Sequence, residues 1–226
     1  MIITFKEIIK LIFPPKCTFC RSILPIQSDI EICDACFPLI PFFNDDIIKF
    51  GKKHDDNFYD DVICLCEYTG IMKQAIKKYK FFDKPQYYRT FGRLLSEKMK
   101  KVTNYQNFDI IISIPLHKRK EALRGYNQSY LITKVLSREL GVPEKSYLLV
   151  RVRNTSTQSL LAKAARRSNV KDAFRVKNSS SIMGKTVLLV DDVFTTGNTL
   201  NECSRILKQA GAKEVVAAVI ATGRKY

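Results

Sequence analysis

The chain has 226 residues, of which 46% are hydrophobic and 27% are charged, and this composition excludes a disordered or collagen-like protein. Its longest apolar runs are far shorter than the roughly 18–20 residues that a membrane-spanning helix needs. The formal net charge is +16: residues 1–60 hold 7 basic and 9 acidic side chains, whereas residues 61–226 hold 31 and 13. The larger part therefore favours polyanionic partners, either nucleic acid or phosphorylated metabolites, with a surface that only aids solubility as the alternative.

The N-terminal part, residues 1–44, combines a short predicted helix with a cysteine-rich segment. Apolar side chains recur at helical spacing over residues 2–13, and two prolines follow. Because Glu7 lies among the lysines and no small-residue cleavage site follows, we expect no secretory signal and place the chain in the cytosol. The seven cysteines are an odd number with four of them in two C-x-x-C pairs, which indicates a metal site in a reducing compartment rather than a disulfide framework.

Four of these cysteines form two C-x-x-C pairs separated by twelve residues. They are Cys17, Cys20, Cys33 and Cys36. Four thiolates at this spacing can surround one zinc ion, and its binding free energy replaces the hydrophobic core that the segment lacks. We predict a structural zinc site, because no coordination position is left open for a substrate. A redox pair or buried thiols are the alternatives.

The rest of the chain alternates between strand and helix patterns. The polar residues 45–61 are typical of a linker, so we divide the chain into residues 1–44, 45–61 and 62–226. The predicted strands are residues 62–68, 108–115, 147–152, 186–191 and 214–221. The predicted helices are residues 70–82, 88–101, 125–140 and 199–210, with a polar helix or mobile loop over residues 159–174. This order predicts an α/β fold with a parallel sheet wrapped by helices, whose ligand lies at the carboxyl ends of the strands.

The segment 187–199 carries the most chemistry. A buried strand delivers two acids, Asp191 and Asp192, to a turn that leads into a helix. The turn residues are Thr195, Thr196, Gly197, Asn198 and Thr199. Unpaired amides and hydroxyls in such a turn bind phosphate, and the positive end of the helix adds to the attraction. Two carboxylates repel phosphate, so we expect them to hold sugar hydroxyls, directly or through magnesium. This predicts a ribose phosphate as ligand; a turn merely capped by threonines is the alternative.

These residues resemble the signature with which type I phosphoribosyltransferases bind 5-phosphoribosyl 1-pyrophosphate. More narrowly, the chain is similar to the ComF family, the ComFC-type competence proteins, over essentially its full length. Three further segments carry the resemblance, namely the four-cysteine module, residues 115–128 with their Arg-Gly-Tyr-Asn-Gln sequence, and residues 154–174. The family commonly has an arginine at the position of Lys120. The resemblance implies a phosphoribosyltransferase fold behind a zinc-ribbon-like module.

The resemblance also implies a division of roles within the site. Asp191 and Asp192 would hold the ribose hydroxyls, and the threonine-rich turn would hold the 5-phosphate. On the pyrophosphate side it implies Leu116, His117, Lys120 and Arg124, with an exposed loop residue as the alternative for His117. Residues 154–169 would form a mobile cover that brings Arg167 to the anion, unless they form a solvated basic helix face. The implied cofactors are structural zinc, and magnesium bound together with phosphoribosyl pyrophosphate.

Two classes of function stay open. A catalyst would displace pyrophosphate from ribose C1 with an acceptor that the sequence does not name. A binding protein would, by resemblance, act in DNA uptake during natural transformation, with a competence helicase or other uptake machinery as a partner. Aromatic residues among the lysines of residues 77–89 favour single-stranded DNA, although the same residues fit the core side of a helix. We predict a competence-type protein that retains the phosphoribosyl site; an active phosphoribosyltransferase of nucleotide metabolism without DNA binding is the alternative.

Overall fold

The structure, a computed structural model, describes residues 13–43, 48–49, 57–82, 84–102, 104–153 and 170–223. The strands in these ranges are β1 (Ile48–Lys49), β2 (Asp61–Glu67), β3 (Ile110–Ser113), β4 (Leu149–Arg151), β5 (Phe174–Val176), β6 (Thr186–Phe194) and β7 (Glu214–Thr222). The helices are α1 (Gly70–Phe81), α2 (Tyr87–Val102), α3 (Lys118–Arg124), α4 (Gln128–Leu140) and α5 (Asn198–Gln209). No helix in the described ranges is long and apolar enough to cross a membrane.

The main sheet has five strands in the order β1-β2-β7-β6-β3. Strands β2, β7, β6 and β3 are parallel, and β1 adds an antiparallel edge to β2. Strand β6 lies between β7 and β3, and its first five residues are buried on both faces. This explains why its sequence is a continuous apolar run rather than an alternating one. The predicted α/β fold with a parallel sheet is confirmed.

Two apolar layers cover the two faces of this sheet. Helices α1, α2 and α4 cover one face, and their fully buried side chains include Met72, Tyr79, Phe91, Leu95 and Ile132. Helix α5 and the separate two-stranded sheet β4–β5 cover the other face with Leu149, Phe174, Leu200 and Leu207. The four parallel strands therefore lie between two layers, and their carboxyl ends meet at a single edge where a ligand site can form.

The structure corrects several predicted boundaries. Strand β6 continues through both acids to Phe194, because its backbone pairs with β7 as far as Thr222. The helix predicted over residues 125–140 begins only at Gln128. Gly125 has a φ of 80° and ends a separate helix, α3, to which the sequence analysis assigned no element. A glycine in this left-handed conformation ends a helix at little steric cost.

The region between β4 and β6 also differs from the prediction. The strand expected over residues 147–152 is shorter, because residues 146–148 form a 3₁₀ turn before β4. Phe174, predicted to end a polar helix or loop, instead begins β5, which pairs antiparallel with β4. Residues 154–169 lie outside the described residues, and so do residues 2–12 of the helix predicted over residues 2–13.

The cysteine module, residues 13–43, contains little regular structure beyond a 3₁₀ turn at Phe37–Leu39. It lies directly against the α/β part of the chain. The Thr18 and Thr90 hydroxyl oxygens are 2.7 Å apart, and the Glu67 backbone N–H donates to the Pro41 carbonyl at 2.9 Å. The predicted linker contains β1, which pairs with β2. The division at residues 45–61 therefore stays a proposal about chain organisation.

Candidate functional site

A cleft of about 950 Å³ lies at the carboxyl ends of β3 and β6 and at the N-terminus of α5. It brings together most of the residues predicted for the ligand. Those that line it are Asp191, Asp192, Thr195, Gly197, Asn198, Thr199, Leu116, Lys120 and Arg124. Acidic groups, a helix N-terminus and basic side chains thus share one cavity, as recognition of a sugar carrying several phosphates requires.

The turn between β6 and α5 depends on Gly197. This residue has a φ of 79° and forms the N-cap of α5. A Cβ atom at Gly197 would lie 2.7 Å from the Phe194 ring and 3.3 Å from the Tyr59 hydroxyl. Only glycine therefore fits both the backbone conformation and the available space. The result is a tight turn that leads directly into the N-terminus of α5, and a helix N-terminus is the geometry that binds phosphate.

The two acids at this turn have different partners. Asp191 Oδ1 accepts hydrogen bonds from the Ser129 hydroxyl at 3.0 Å and from the Asp192 backbone N–H at 2.9 Å. Asp192 Oδ1 lies 2.8 Å from the Lys80 ammonium nitrogen. Burial, with the Asp192 charge beside it, raises the pKa of Asp191 to about 7. A buried carboxyl of this kind accepts well from hydroxyl groups, and a cation or a donor at the site favours its ionised form.

Three further basic side chains line the cleft besides Lys80. Lys120 and Arg124 belong to α3, and Arg151 ends β4. Burial, with the charges of Arg151 and Arg124 nearby, lowers the pKa of Lys120. Arg124 donates to Gln128 Oε1 at 2.6 Å, and the Arg151 guanidinium stacks 5.2 Å from the Phe174 ring centroid. These contacts hold the cations close together against their mutual repulsion, so a polyanion in the cleft would relieve it.

Among the described residues, two of the predicted site residues do not line the cleft. The His117 side chain caps α3, with Nδ1 accepting from the Arg119 backbone N–H at 3.3 Å. Thr196 lies within the turn with its hydroxyl buried. Arg167 lies outside the described residues. The capping geometry gives His117 a structural role in positioning α3, and its part in binding pyrophosphate stays a prediction.

The four predicted zinc ligands lie together in the cysteine module. The Sγ atoms of Cys17, Cys20, Cys33 and Cys36 all lie within 4.8 Å of one another, and those of Cys20 and Cys33 are 3.6 Å apart. A tetrahedral zinc–thiolate site with bonds of about 2.3 Å places its sulfur atoms at roughly 3.8 Å, close to this arrangement. All four are free cysteines. The cluster can therefore hold a structural metal such as zinc.

The protonation of this cluster also fits a metal site. Hydrogen bonds from Ser22 lower the pKa of Cys20 to about 6, and they lower that of Cys33 as well. Burial, with the other thiolates nearby, raises the pKa of Cys36 to about 12. Four neighbouring thiolates repel one another, so the complete anionic set is stable only around a cation. Ser22 was not predicted from the sequence, because its contact depends on the turn after Cys20.

Comparison with known proteins identifies the family of the chain. The phosphoribosyl transferase domain family matches residues 127–226. Competence protein F of Haemophilus influenzae is 31% identical over 216 residues, which cover 88% of this chain and 93% of that protein. DNA utilization protein YhgH of Escherichia coli K12 is 33% identical over 157 residues, 68% of each chain. Competence protein ComFC of Bacillus subtilis is 31% identical over 67% of this chain and 59% of its own length.

The chain belongs to the ComF family. It is a phosphoribosyltransferase-like member, and the similarity to the Haemophilus protein covers 88% of the chain. The family resemblance predicted from the sequence is thus confirmed.

Three residues of this ComF cleft were missed by the sequence analysis. Lys80, Ser129 and Arg151 all line it, and the first two contact the acid pair. Ser129 follows the Arg-Gly-Tyr-Asn-Gln sequence directly, so its position in that segment was an available signal. Lys80 was assigned to a DNA-binding surface, because nothing in its local sequence distinguishes it from the neighbouring lysines.

The basic segment 77–89 of the ComF chain divides between core and surface. Tyr79 of α1 and Tyr87 of α2 are fully buried in the apolar layer between these helices and the sheet. Phe81 and Phe82, in contrast, are each 64% exposed, and Lys77 and Lys78 are also exposed. The segment therefore contains both buried core aromatics and exposed ones, and single-stranded DNA binding by the exposed ones stays a prediction. The end of α1 presents aromatic and basic groups to solvent.

Proposed function

We propose that this ComF-family chain binds 5-phosphoribosyl 1-pyrophosphate together with magnesium and acts in DNA uptake in the cytosol, where it handles single-stranded DNA. Relatives named competence proteins and DNA utilization proteins support the cellular role. The observation that carries the ligand assignment is the single cleft shared by the acid pair, the α5 N-terminus and the basic residues of α3. These groups complement a ribose, a 5-phosphate and a pyrophosphate in that order.

Each part of the ligand has a chemically matched part of the cleft. The turn ending at Gly197 offers backbone amides and the α5 N-terminus to the 5-phosphate. Asp191 and Asp192 offer carboxylate oxygens to the ribose hydroxyls. Lys120 and Arg124, with Arg151, offer positive charge to the pyrophosphate. This assignment uses every charged side chain of the cleft except Lys80.

The donor sets also fit the two proposed metals. Carboxylate oxygens are the protein ligands that magnesium prefers, and the ion commonly takes its remaining ligands from substrate phosphates and water. Asp191 or Asp192 would therefore hold it beside the diphosphate, where its charge stabilises pyrophosphate as a leaving group. Four cysteine thiolates favour zinc instead. The zinc would stabilise the cysteine module and take no part in chemistry.

Calorimetric titration with phosphoribosyl pyrophosphate, with and without magnesium, tests the ligand assignment. We expect binding that requires magnesium. Changing Asp191→Asn and Asp192→Asn together should weaken it at least about tenfold, or roughly 1.4 kcal/mol, because two charge-assisted hydrogen bonds to hydroxyls are lost. Glu97→Gln is a matched control, because this carboxylate is exposed on α2 and pairs only locally with Lys100 in the described structure. Absence of heat with the unchanged protein would overturn the assignment.

The DNA assignment rests on the basic and aromatic surface at the end of α1. Exposed rings such as Phe81 and Phe82 can stack with bases, while Lys77 and Lys78 can contact phosphates. The excess of basic residues over residues 61–226 exceeds what one metabolite site needs. We therefore expect single-stranded DNA to bind with little sequence preference.

Fluorescence anisotropy at several salt concentrations tests this second part. For single strands, log affinity falls against log salt with a slope of about −0.7 per phosphate contacted. Replacing Lys77 and Lys78 by methionine should therefore flatten the slope by about 1.4 units. Lys213→Met is the control, because this exposed lysine directly precedes β7. It therefore lies at the amino ends of the parallel strands, away from the cleft at their carboxyl ends. No binding at low salt would leave the basic surface as a solubility feature.

Catalytic turnover is the second candidate function for the same cleft. Its volume of about 950 Å³ is at the upper end for a single small-molecule site, which favours a second molecule beside the sugar phosphate. In such a reaction the acid pair would hold the ribose while positive charge develops at C1 and the basic residues stabilise the departing pyrophosphate. A screen for released pyrophosphate across candidate acceptors tests it. Ligand binding without release for any acceptor would leave a binding protein.

A further inference from the structure

Lys80 is a cation that α1 holds inside the cleft. Its ammonium nitrogen is 2.8 Å from Asp192 Oδ1, and the two side chains are only 22% and 11% exposed. The preceding residue fixes this position: the Tyr79 hydroxyl donates to the Gln128 carbonyl at 2.8 Å, and the Tyr126 hydroxyl donates to the Tyr79 carbonyl. The ion pair is therefore a built feature of the cleft rather than a loose surface contact.

The other lysines of α1 do not share this environment. Lys73, Lys77 and Lys78 are exposed, whereas Lys80 is partly buried and faces the acids. Exposed ion pairs contribute little because water screens them, but the charges of a partly buried pair interact more strongly. Removing one partner of such a pair leaves the other as an uncompensated charge. Lys80 therefore sets the charge that an incoming ligand meets at Asp192.

This charge affects a bare metal ion and a metal–diphosphate complex in opposite directions. A bare divalent cation that binds the Asp192 carboxylate must approach an ammonium group that is already 2.8 Å from Oδ1, and the two positive charges repel each other. A sugar diphosphate that carries one magnesium ion remains an anion overall, so the two carboxylates repel it and Lys80 attracts it. The same lysine thus opposes the first species and favours the second.

We propose that Lys80 is a specificity-determining residue that excludes bare divalent cations from the acid pair and admits the metal only as its complex with an anionic sugar diphosphate. This inference rests on the proposed function, because it assigns the form in which that ligand enters. Lys80 excludes the bare metal ion because its ammonium group already contacts Asp192, and it attracts the anionic complex because it is positively charged. It makes metal entry depend on the ligand.

Two titrations of one set of variants test the inference. Manganese alone is followed by electron paramagnetic resonance, and the magnesium complex of phosphoribosyl pyrophosphate is followed by calorimetry, both at pH 8. For Lys80→Met we expect affinity for bare manganese to rise at least about tenfold and affinity for the complex to fall about fivefold or more. Lys80→Arg should restore both values toward those of the unchanged protein, because it keeps the charge.

Lys73→Met is the matched control, since it removes the same charge from an exposed position of the same helix. We expect it to change neither affinity by more than about twofold. Parallel weakening of both affinities in Lys80→Met would show that the residue only maintains structure and would overturn the proposal, as would unchanged affinities. If the unchanged protein binds no complex, the proposed function fails, while the manganese titration still decides whether Lys80 excludes bare cations.

Discussion

The cysteine module and the sheet differ in what holds each of them together. In the module, a cluster of three buried side chains, Cys17, Leu24 and Cys36, forms the local core, and two of the three are proposed metal ligands. The sheet is covered on both faces by large apolar layers. The buried side chains of these layers come from several helices as well as from the strands. Burial of apolar surface therefore suffices for the sheet, whereas the module buries little of it, and the proposed metal would supply the coordination bonds that stabilise the module.

This difference predicts how the stability of each part responds to substitutions. A module whose free energy comes from one metal fails in a single step when its ligands are removed, because no other interaction can replace the loss. A layered sheet loses stability in small increments, one side chain at a time. Four experiments test this contrast, and the largest effect is expected in the module.

The double change Cys33→Ser and Cys36→Ser should abolish metal binding. We expect the zinc content to fall from about one ion per chain to below about 0.1, and backbone amides of residues 13–43 to lose their protection from exchange, because two thiolates cannot hold the ion. Elemental analysis and hydrogen exchange measure this. Cys64→Ala is the control, since it alters a buried cysteine of β2 outside the cluster. Full metal retention in the double variant would contradict the assignment.

Gly197→Ala should destabilise the sheet part by about 2–4 kcal/mol, because it adds backbone strain at a φ of 79° and a contact of 2.7 Å with Phe194. Urea unfolding measures the change. Gly184→Ala separates the two causes, since Gly184 has a φ of 72° but nothing within 4 Å of an added Cβ. The difference between the two losses of unfolding free energy then reports the steric contact with Phe194 alone. Equal losses in the two variants would contradict a steric contribution at Gly197.

Asp191→Asn should stabilise the protein at pH 8 by about 2 kcal/mol and by much less at pH 4. The pKa of Asp191 is raised from 3.8 to about 7 by folding, so the unfolded chain releases this proton first as the pH rises. Stability is therefore lost between about pH 4 and pH 7 and stays lost above that range. The asparagine has no proton to lose, so the difference from the unchanged protein should grow over this window.

Unfolding by urea across this pH range gives the measurement, and Asp109→Asn gives a control of opposite sign. Hydrogen bonding from the Thr186 backbone, with Lys185 nearby, lowers the pKa of Asp109. Its ionised form therefore stabilises the fold at neutral pH, and this contribution is lost as the pH falls through its folded pKa. Each variant is compared with the unchanged protein at the same pH. The pH-dependent contribution of the module's cysteines is then the same in both and cancels in the difference. A flat difference for Asp191→Asn would show that its carboxyl is not held in a desolvated site.

The smallest effect is expected at the contact between the two regions. Thr18→Val and Thr90→Val should each cost about 1 kcal/mol, because each leaves a buried hydroxyl without its partner at 2.7 Å. The double variant should lose less than the sum, with a coupling of about 0.5–1.5 kcal/mol in a double-mutant cycle. Additive losses would mean that module and sheet are stabilised independently at this contact.

Much of the fold and part of the site could be predicted because their signals are local. The two C-x-x-C pairs and the β6–turn–α5 segment each place their functional groups within a few residues of one another. Strand and helix periodicity likewise depends on neighbouring residues only. The predicted boundaries were wrong where pairing with a distant strand decides where an element ends. Strand β6, for example, extends to Phe194 because it pairs with β7 as far as Thr222.

The sequence by itself predicted that the four cysteines cluster and that the acid pair and the glycine turn lie together at one strand end, since spacing along the chain already constrains these groups in space. Their roles in binding zinc and phosphate stay predictions. Tertiary structure alone decided which lysine and which serine reach the acids. Ser129 contacts Asp191 across 62 residues, and Lys80 reaches Asp192 from a helix that looks uniformly basic in sequence. The physical reason is that burial and pairing depend on how distant elements pack, so a side chain's charge environment is not a property of its neighbours along the chain.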